Sequence, residues 1–225
     1  MMIEENPGPG SGEGTAEPAP TLRERKKRET RQRISDEATM LFVARGFDQV
    51  TVAEIAKAAQ VSTMTVFNHF PRKEDLYLDR IPEVVELVTA AVRDRAADES
   101  PLAALRALLL GLLDQGHPLA AVSDGYPHFW RIVLDSPALR ARAREGVEEV
   151  ELALGDAMYA SDPAGDRPDP RFAAALTVAA YRAVYVATAG RLLAGDRAAD
   201  VADDHRSRVN EAFDALERAL YGTTA

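Results

Sequence analysis

The residues in this chain whose types and spacing could do chemistry gather between Thr51 and Lys73. Thr63, Thr65, Asn68 and His69 give one short segment a small, polar outer face. Such a face suits hydrogen bonds to phosphates and base edges in a DNA major groove. Val66 is the apolar anchor that would hold the segment down, ten residues after Ala56. A side chain as small as Ala56 lets two short helices cross at a steep angle, where a larger one would push them apart. Immediately upstream, Arg23, Arg25, Lys26, Lys27, Arg28, Arg31 and Arg33 fall within eleven residues. A run this dense suits phosphate contact through counterion release, and a solvated helix face would account for it as well.

Other chemistry is not encoded in a recognisable form. A nucleophile elbow, a Gly-rich phosphate loop and a paired-carboxylate signature are all missing. His117, His128 and His205 lack ligand-type spacing to one another or to acids, so no metal site and no cofactor is expected. Without cysteine there are no disulfides and no thiolate chemistry. Glu148, Glu149 and Glu151 read as a solvated helix face. The chain is not expected to be an enzyme.

The net charge of −9 argues at first against a nucleic-acid partner, but its distribution reverses that. Residues 21–75 carry eleven Lys and Arg against eight Asp and Glu, while residues 76–225 carry sixteen against twenty-four. No stretch approaches the roughly 20 apolar residues of a membrane helix, and the acidic, Pro- and Gly-containing N-terminus does not read as a signal peptide. A cytoplasmic protein without a membrane partner is expected.

The elements that must position these residues are all helical. Residues 1–20 read as a disordered tail. Leu22 to Arg45 spaces Ile34, Ala38, Leu41 and Phe42 along one buried face, and Gly46 stands where a left-handed cap is wanted. Thr51 to Glu54 fits a capping box opening a short helix with Val52, Ile55, Ala56 and Ala59 inward. A break at Gln60-Val61 follows, and Ser62 can cap a helix from Thr63 to Asn68. Pro71 is placed at the start of the fourth helix, with a kink or restart at Pro82. Beyond it come a leucine-rich helix from Pro101, helices over Tyr126–Ala160 interrupted near Ser136-Pro137, and a loop from Ser161 to Pro170. An apolar helix over Arg171–Ala194 and an amphipathic one over about Asp203–Tyr221 complete the chain. The expectation is an all-α protein: a helix-turn-helix domain at 21–75 and a larger helical domain at 76–225.

Gly46-Phe47, Thr51 through Ala56, Val61-Ser62 and Thr65 through Leu76 together closely resemble the tetracycline-repressor (TetR) family of transcription regulators. The resemblance implies that Thr51, Thr65, Phe67 or His69, and Lys73 touch the DNA backbone, and that Thr63, Met64 and Asn68 face base edges. Arg28 joins this DNA-binding set from the basic run. An ammonium at Lys73 also has little other structural purpose in this reading. Gln60 replaces a usual glycine, at a left-handed cost of about 1 kcal/mol. Met64 replaces a commonly small residue and suits a thymine methyl.

For the larger domain the resemblance implies a homodimer through the last two helices, with Leu176, Val178, Tyr181, Val184 and Ala187 against the partner; intrachain core is the other reading. Arg131 to Arg140 resembles a subset that binds acyl-CoA-like ligands. An effector cavity lined by Phe129, Trp130, Val133, Met158, Tyr181 and Tyr185 follows, with Arg131 or Arg140 meeting an anionic head group. The expected partners are double-stranded palindromic operator DNA, a second copy of the chain, and a small apolar or amphipathic effector. A repressor released by that effector is the leading reading. A helical enzyme or a helical interaction module remain the alternatives.

Overall fold

The computed structural model describes residues 21–161 and 168–222, so the expected tail and most of the 161–170 loop lie outside the described residues. α1 (Leu22–Arg45) opens with a capping box in which Thr21 accepts the Glu24 N–H and the Glu24 carboxylate accepts the Thr21 N–H at 2.8 Å. Only its second half is anchored, through Ile34, Ser35, Ala38 and Phe42. Gly46 takes the expected positive φ, +83°, but its ψ of 150° lies outside the left-handed helical basin. The chain therefore leaves α1 extended rather than in a left-handed helical cap.

α2 (Val52–Ala58) begins at the Thr51 capping box, and α3 (Thr63–His69) begins where Ser62 Oγ accepts the Thr65 N–H at 3.0 Å. Between them Gln60 sits at φ +55°, the left-handed position anticipated for it. The next stretch departs from expectation. Pro71 does not open a helix, because the Asp75 carboxylate accepts the Arg72 N–H and closes a turn. A single 3-10 turn, Glu74–Leu76, follows, and α4 spans Ile81–Arg93. Pro82 stands in the first turn of α4, where a missing N–H costs nothing, so it starts the helix rather than kinking it.

α5 (Pro101–Asp114), α6 (Tyr126–Asp135), α7 (Pro137–Ser161), α8 (Pro170–Ala194) and α9 (Ala198–Tyr221) form the body. No strand occurs among the described residues. α9 starts five residues before the expected Asp203, because Asp124 reaches across to accept the Ala198 N–H at 2.8 Å.

Two buried clusters organise these helices. The head core joins Ile34, Phe42, Ile55, Val66, Phe70 and Tyr77 to Ile132, Val133 and Leu139 of α6 and α7. The body core gathers Val92, Leu102, Leu154, Met158, Val209 and Phe213. Val184 is buried in this second core, with Leu176, Val178 and Tyr181 packed against it. Of the α8 residues expected against a partner, Val178 and Tyr181 pack toward this core, while Leu176 and Val184 also line an open groove between α8 and α9. The free face of α8 carries Phe172, Ala179, Ala183, Val186 and Gly190. By length and composition α8 could cross a membrane, contrary to the expectation that no stretch comes close. In the fold it packs between α7 and α9.

Candidate nucleic-acid interface

α3 presents Thr63, Met64, Phe67 and Asn68 to solvent, with Met64 68% and Phe67 47% exposed. Opposite them Val66 is fully buried in the head core. The remaining expected contacts are partly occupied. The Thr65 hydroxyl lies 2.8 Å from Ser62 Oγ. The Thr51 hydroxyl and N–H both donate to Glu54 at 2.8 Å. Those bonds, the backbone one first, and the Arg45 guanidinium hold Glu54 down at a pKa of about 2. At neutral pH the ionised carboxylate holds both Thr51 protons, so the Thr51 hydroxyl donates to a phosphate only by leaving Glu54.

The basic run divides into two kinds of residue. Arg31 Nη1 donates to the His69 carbonyl at 2.6 Å and Nη2 to the Asp79 carbonyl at 3.3 Å, with the guanidinium 4.0 Å above the Phe70 ring. Arg33 Nε donates to the Ala59 carbonyl at 3.1 Å. Both arginines satisfy orphan carbonyls at the C-terminal ends of α3 and α2, where the helix dipole also favours a cation. They are clamps. Arg23, Arg25, Lys26, Lys27 and Arg28 are exposed and have no hydrogen bond or ion pair among the described residues. Those five are free to meet an external anion.

His69 is half-buried, and burial first, then Arg31 and Lys27, lowers its pKa below 6.5. Near neutrality it is a hydrogen-bonding group rather than a cation. Lys73 differs from its sequence reading. Its ammonium donates to the Phe47 carbonyl at 2.7 Å and lies 4.2 Å from the centre of the Phe47 ring. Burial lowers its pKa. The reading that this ammonium has little other structural purpose is therefore corrected: it pins the segment after α3 to the α1–α2 turn.

The expected effector residues also separate. Rings form a chain from Tyr77 through Phe129 (5.1 Å), to Trp130 (5.8 Å), to Tyr185 (5.7 Å) and Tyr181 (6.3 Å). Tyr126, the first of the aromatic run at 126–130, contacts Phe129, Trp130 and Tyr185, and shares a hydrogen bond with the Tyr185 hydroxyl. Burial pushes the Tyr126 phenol up to about 12 and Tyr185 well above its usual value. The Trp130 N–H acts electrostatically as a donor neighbour to both phenols, yet no acceptor meets it in hydrogen-bonding geometry. Val133 belongs to the head core and Met158 to the body core, so these two do not share one cluster. Arg140, expected near a head group, instead donates to the Leu134 carbonyl at 2.6 Å, and Arg131 is exposed.

Comparison with known proteins bears on this geometry. The family model "Bacterial regulatory proteins, tetR family" matches residues 34–79. The HTH-type transcriptional regulator TcmR of Streptomyces glaucescens is 36% identical over 170 residues, spanning 73% of this chain and 74% of that protein. A TetR-family regulator from Mesorhizobium loti shares the fold with a TM-score of 0.58 at 17% identity, over 87% of this chain and 98% of its own. Thermus thermophilus FadR, solved with lauroyl-CoA, aligns with a TM-score of 0.51 at 23% identity, over 87% of this chain and 95% of its own.

Proposed function

The chain belongs to the tetR family of bacterial regulatory proteins and is a DNA-binding transcriptional regulator, and from that premise we propose that it is a homodimeric repressor released from its operator by a small effector. The observation that carries this reading is the α3 surface, anchored from beneath by Val66 and at its C-terminal end by Arg31, while Thr63, Met64, Phe67 and Asn68 stand in water. In this reading residues 21–75 are the reading head and 76–225 the effector body. Asn68 and Thr63 hydrogen-bond base edges, and Met64 packs on a thymine methyl. Thr51, Thr65, Phe67, His69 and Lys73 lie along phosphates, and the free bases around Arg28 add nonspecific attraction.

Dimerisation is supported by the open groove between α8 and α9, lined by small apolar residues such as Ala180, Ala183, Ala212, Ala215 and Ala219. Small side chains let helices approach closely, and a two-fold axis there pairs two α3 helices on a palindromic duplex. The effector is an apolar or amphipathic molecule, with the acyl-CoA class as the first to test. The aromatic seam supports this, because it runs from Phe129 and Trp130 on the head core to Tyr181 on the body core and holds an indole N–H without an acceptor. A ligand entering there displaces one core against the other. To turn a 99:1 population around, it must prefer the released state by about 5.5 kcal/mol.

The experiment is a titration of short-, medium- and long-chain acyl-CoAs against the operator complex, following Trp130 fluorescence. The reading expects the fluorescence change and operator release over the same concentration range. If all chain lengths leave both signals unmoved, the acyl-CoA assignment is wrong.

A further inference from the structure

The first turns of α7 are fastened to the DNA-reading head at successive points. Ser136, just before the helix, donates to the Asp48 carboxylate of the α1–α2 turn at 2.9 Å. Arg142 Nε donates to Asp75 at 2.7 Å, and its Nη1 donates to Glu149 at 2.8 Å. Glu145 meets Arg72 at 2.5 Å. At Gly146 the helix comes so close to Ile81 that an added Cβ would lie 2.6 Å from Cδ1. The whole 71–81 segment, from the end of α3 to the start of α4, therefore rests on α7.

Arg142 is the exceptional member of this set. Its side chain is only 8% exposed, while Glu145 and Arg72 are both about half exposed. An exposed pair adds little. A buried pair recovers little more than its desolvation cost, and its distinctive effect is to impose one geometry. Asp75 is also largely buried, and its carboxylate joins Arg142 to the Arg72 N–H in the turn that follows α3.

We infer that Arg142 is a positioning residue for DNA recognition, fixing the angle of the reading head on the body through Asp75 and so setting the half-site spacing the dimer accepts. This rests on the homodimer reading above. Each body carries one head, so the distance between the two α3 helices follows from how rigidly each head is set on α7. With this buried tie cut, the head pivots about its remaining apolar contacts and its more exposed polar ties, and the dimer tolerates half-sites it would otherwise refuse.

The test uses the full chain and a duplex selected by the wild-type protein from random-sequence DNA. The half-sites are then moved apart in single base-pair steps, and a second duplex carries one half-site alone. For the wild type, displacement by two base pairs weakens binding by about tenfold or more, as expected of rigid half-site geometry. In the paired variant Arg142→Met with Asp75→Asn, the same displacement costs less than about threefold, while affinity for the lone half-site changes less than about twofold. Asp75→Asn alone breaks the charge pair without changing volume, and it decides the matter if the paired variant fails to fold.

A variant that keeps the wild-type spacing preference overturns the inference. So does one that loses lone half-site binding in proportion, since Arg142 would then only support the fold of the head. A wild-type protein indifferent to spacing sinks the dimer reading itself, and the inference with it.

Discussion

Arg31 Nη1 donates to the carbonyl of His69, thirty-eight residues later, at 2.6 Å, and the same guanidinium covers the Phe70 ring. A basic residue that looks available for DNA is thus holding the end of the helix that reads it. Replacing Arg31 with Met should cost about 1.5–3 kcal/mol of stability, the range for a hydrogen bond to a charged group. Binding to all sequences should weaken alike. Urea unfolding, together with affinities for operator and unrelated duplex, checks this. A shift in sequence preference without a stability loss would place Arg31 on the DNA instead.

The five unpaired bases at the start of α1 should behave differently. Operator affinity should fall with salt at a log–log slope of about −0.9 per phosphate neutralised. Reversing Arg25, Lys26 and Arg28 to Glu should flatten that slope while stability moves by no more than about 0.5 kcal/mol. An unchanged slope would make this run a solvated face and nothing more.

Asn68 and Lys73 separate specificity from support. Asn68→Ala should cost about 1–3 kcal/mol on the preferred operator and relax the preference. Lys73→Met should weaken all DNA binding and also lower thermal stability, because its ammonium bonds the Phe47 carbonyl within the protein. Binding to a panel of singly altered operators, with a melting curve for each variant, distinguishes the two. A Lys73 variant that melts like the wild type would return that residue to a purely phosphate role.

How much of this was legible in the sequence depended on the range of the interaction. The caps at Thr51 and Ser62, the left-handed Gln60 and the inward Val66 are local or periodic features, and the structure has them where the sequence implies. The Arg31, Arg33 and Lys73 contacts join residues 26 to 48 positions apart, and no spacing rule connects a cation with a distant carbonyl. Their charge was visible and their use was not. The early start of α9 escaped for the same reason, since its capping carboxylate, Asp124, lies 74 positions away. On α8 the apolar residues run nearly all round the helix, so periodicity could not say which face meets the body core.

His205 gives the body a pH dependence. It is buried, its Nδ1 lies 2.8 Å from the Thr188 hydroxyl, and burial outweighs the neighbouring Asp204 to lower its pKa below 6.5. The unfolded chain therefore takes up this proton at higher pH than the folded one. The stability it allows is fully present above the unfolded value and falls as pH drops from about 6.5 toward the folded value. Melting temperature measured from pH 7.5 down to 5.5 should decline, and His205→Gln should decline less steeply. Parallel curves for the two proteins would remove His205 from the account.

The central claim, that the outer face of α3 reads operator DNA from a symmetric dimer, is tested most directly by one selection. The whole 225-residue chain is used to select duplexes from a random-sequence pool, and the stoichiometry on the enriched duplex is then measured by analytical ultracentrifugation. The account predicts an inverted repeat, with half-site centres about one helical turn (roughly 10 base pairs) or a multiple of it apart, bound by an even number of chains with two as the minimum. Asn68→Ala should fail to enrich the same half-site. Enrichment of no sequence, or of a sequence without two-fold symmetry bound by one chain, would contradict it.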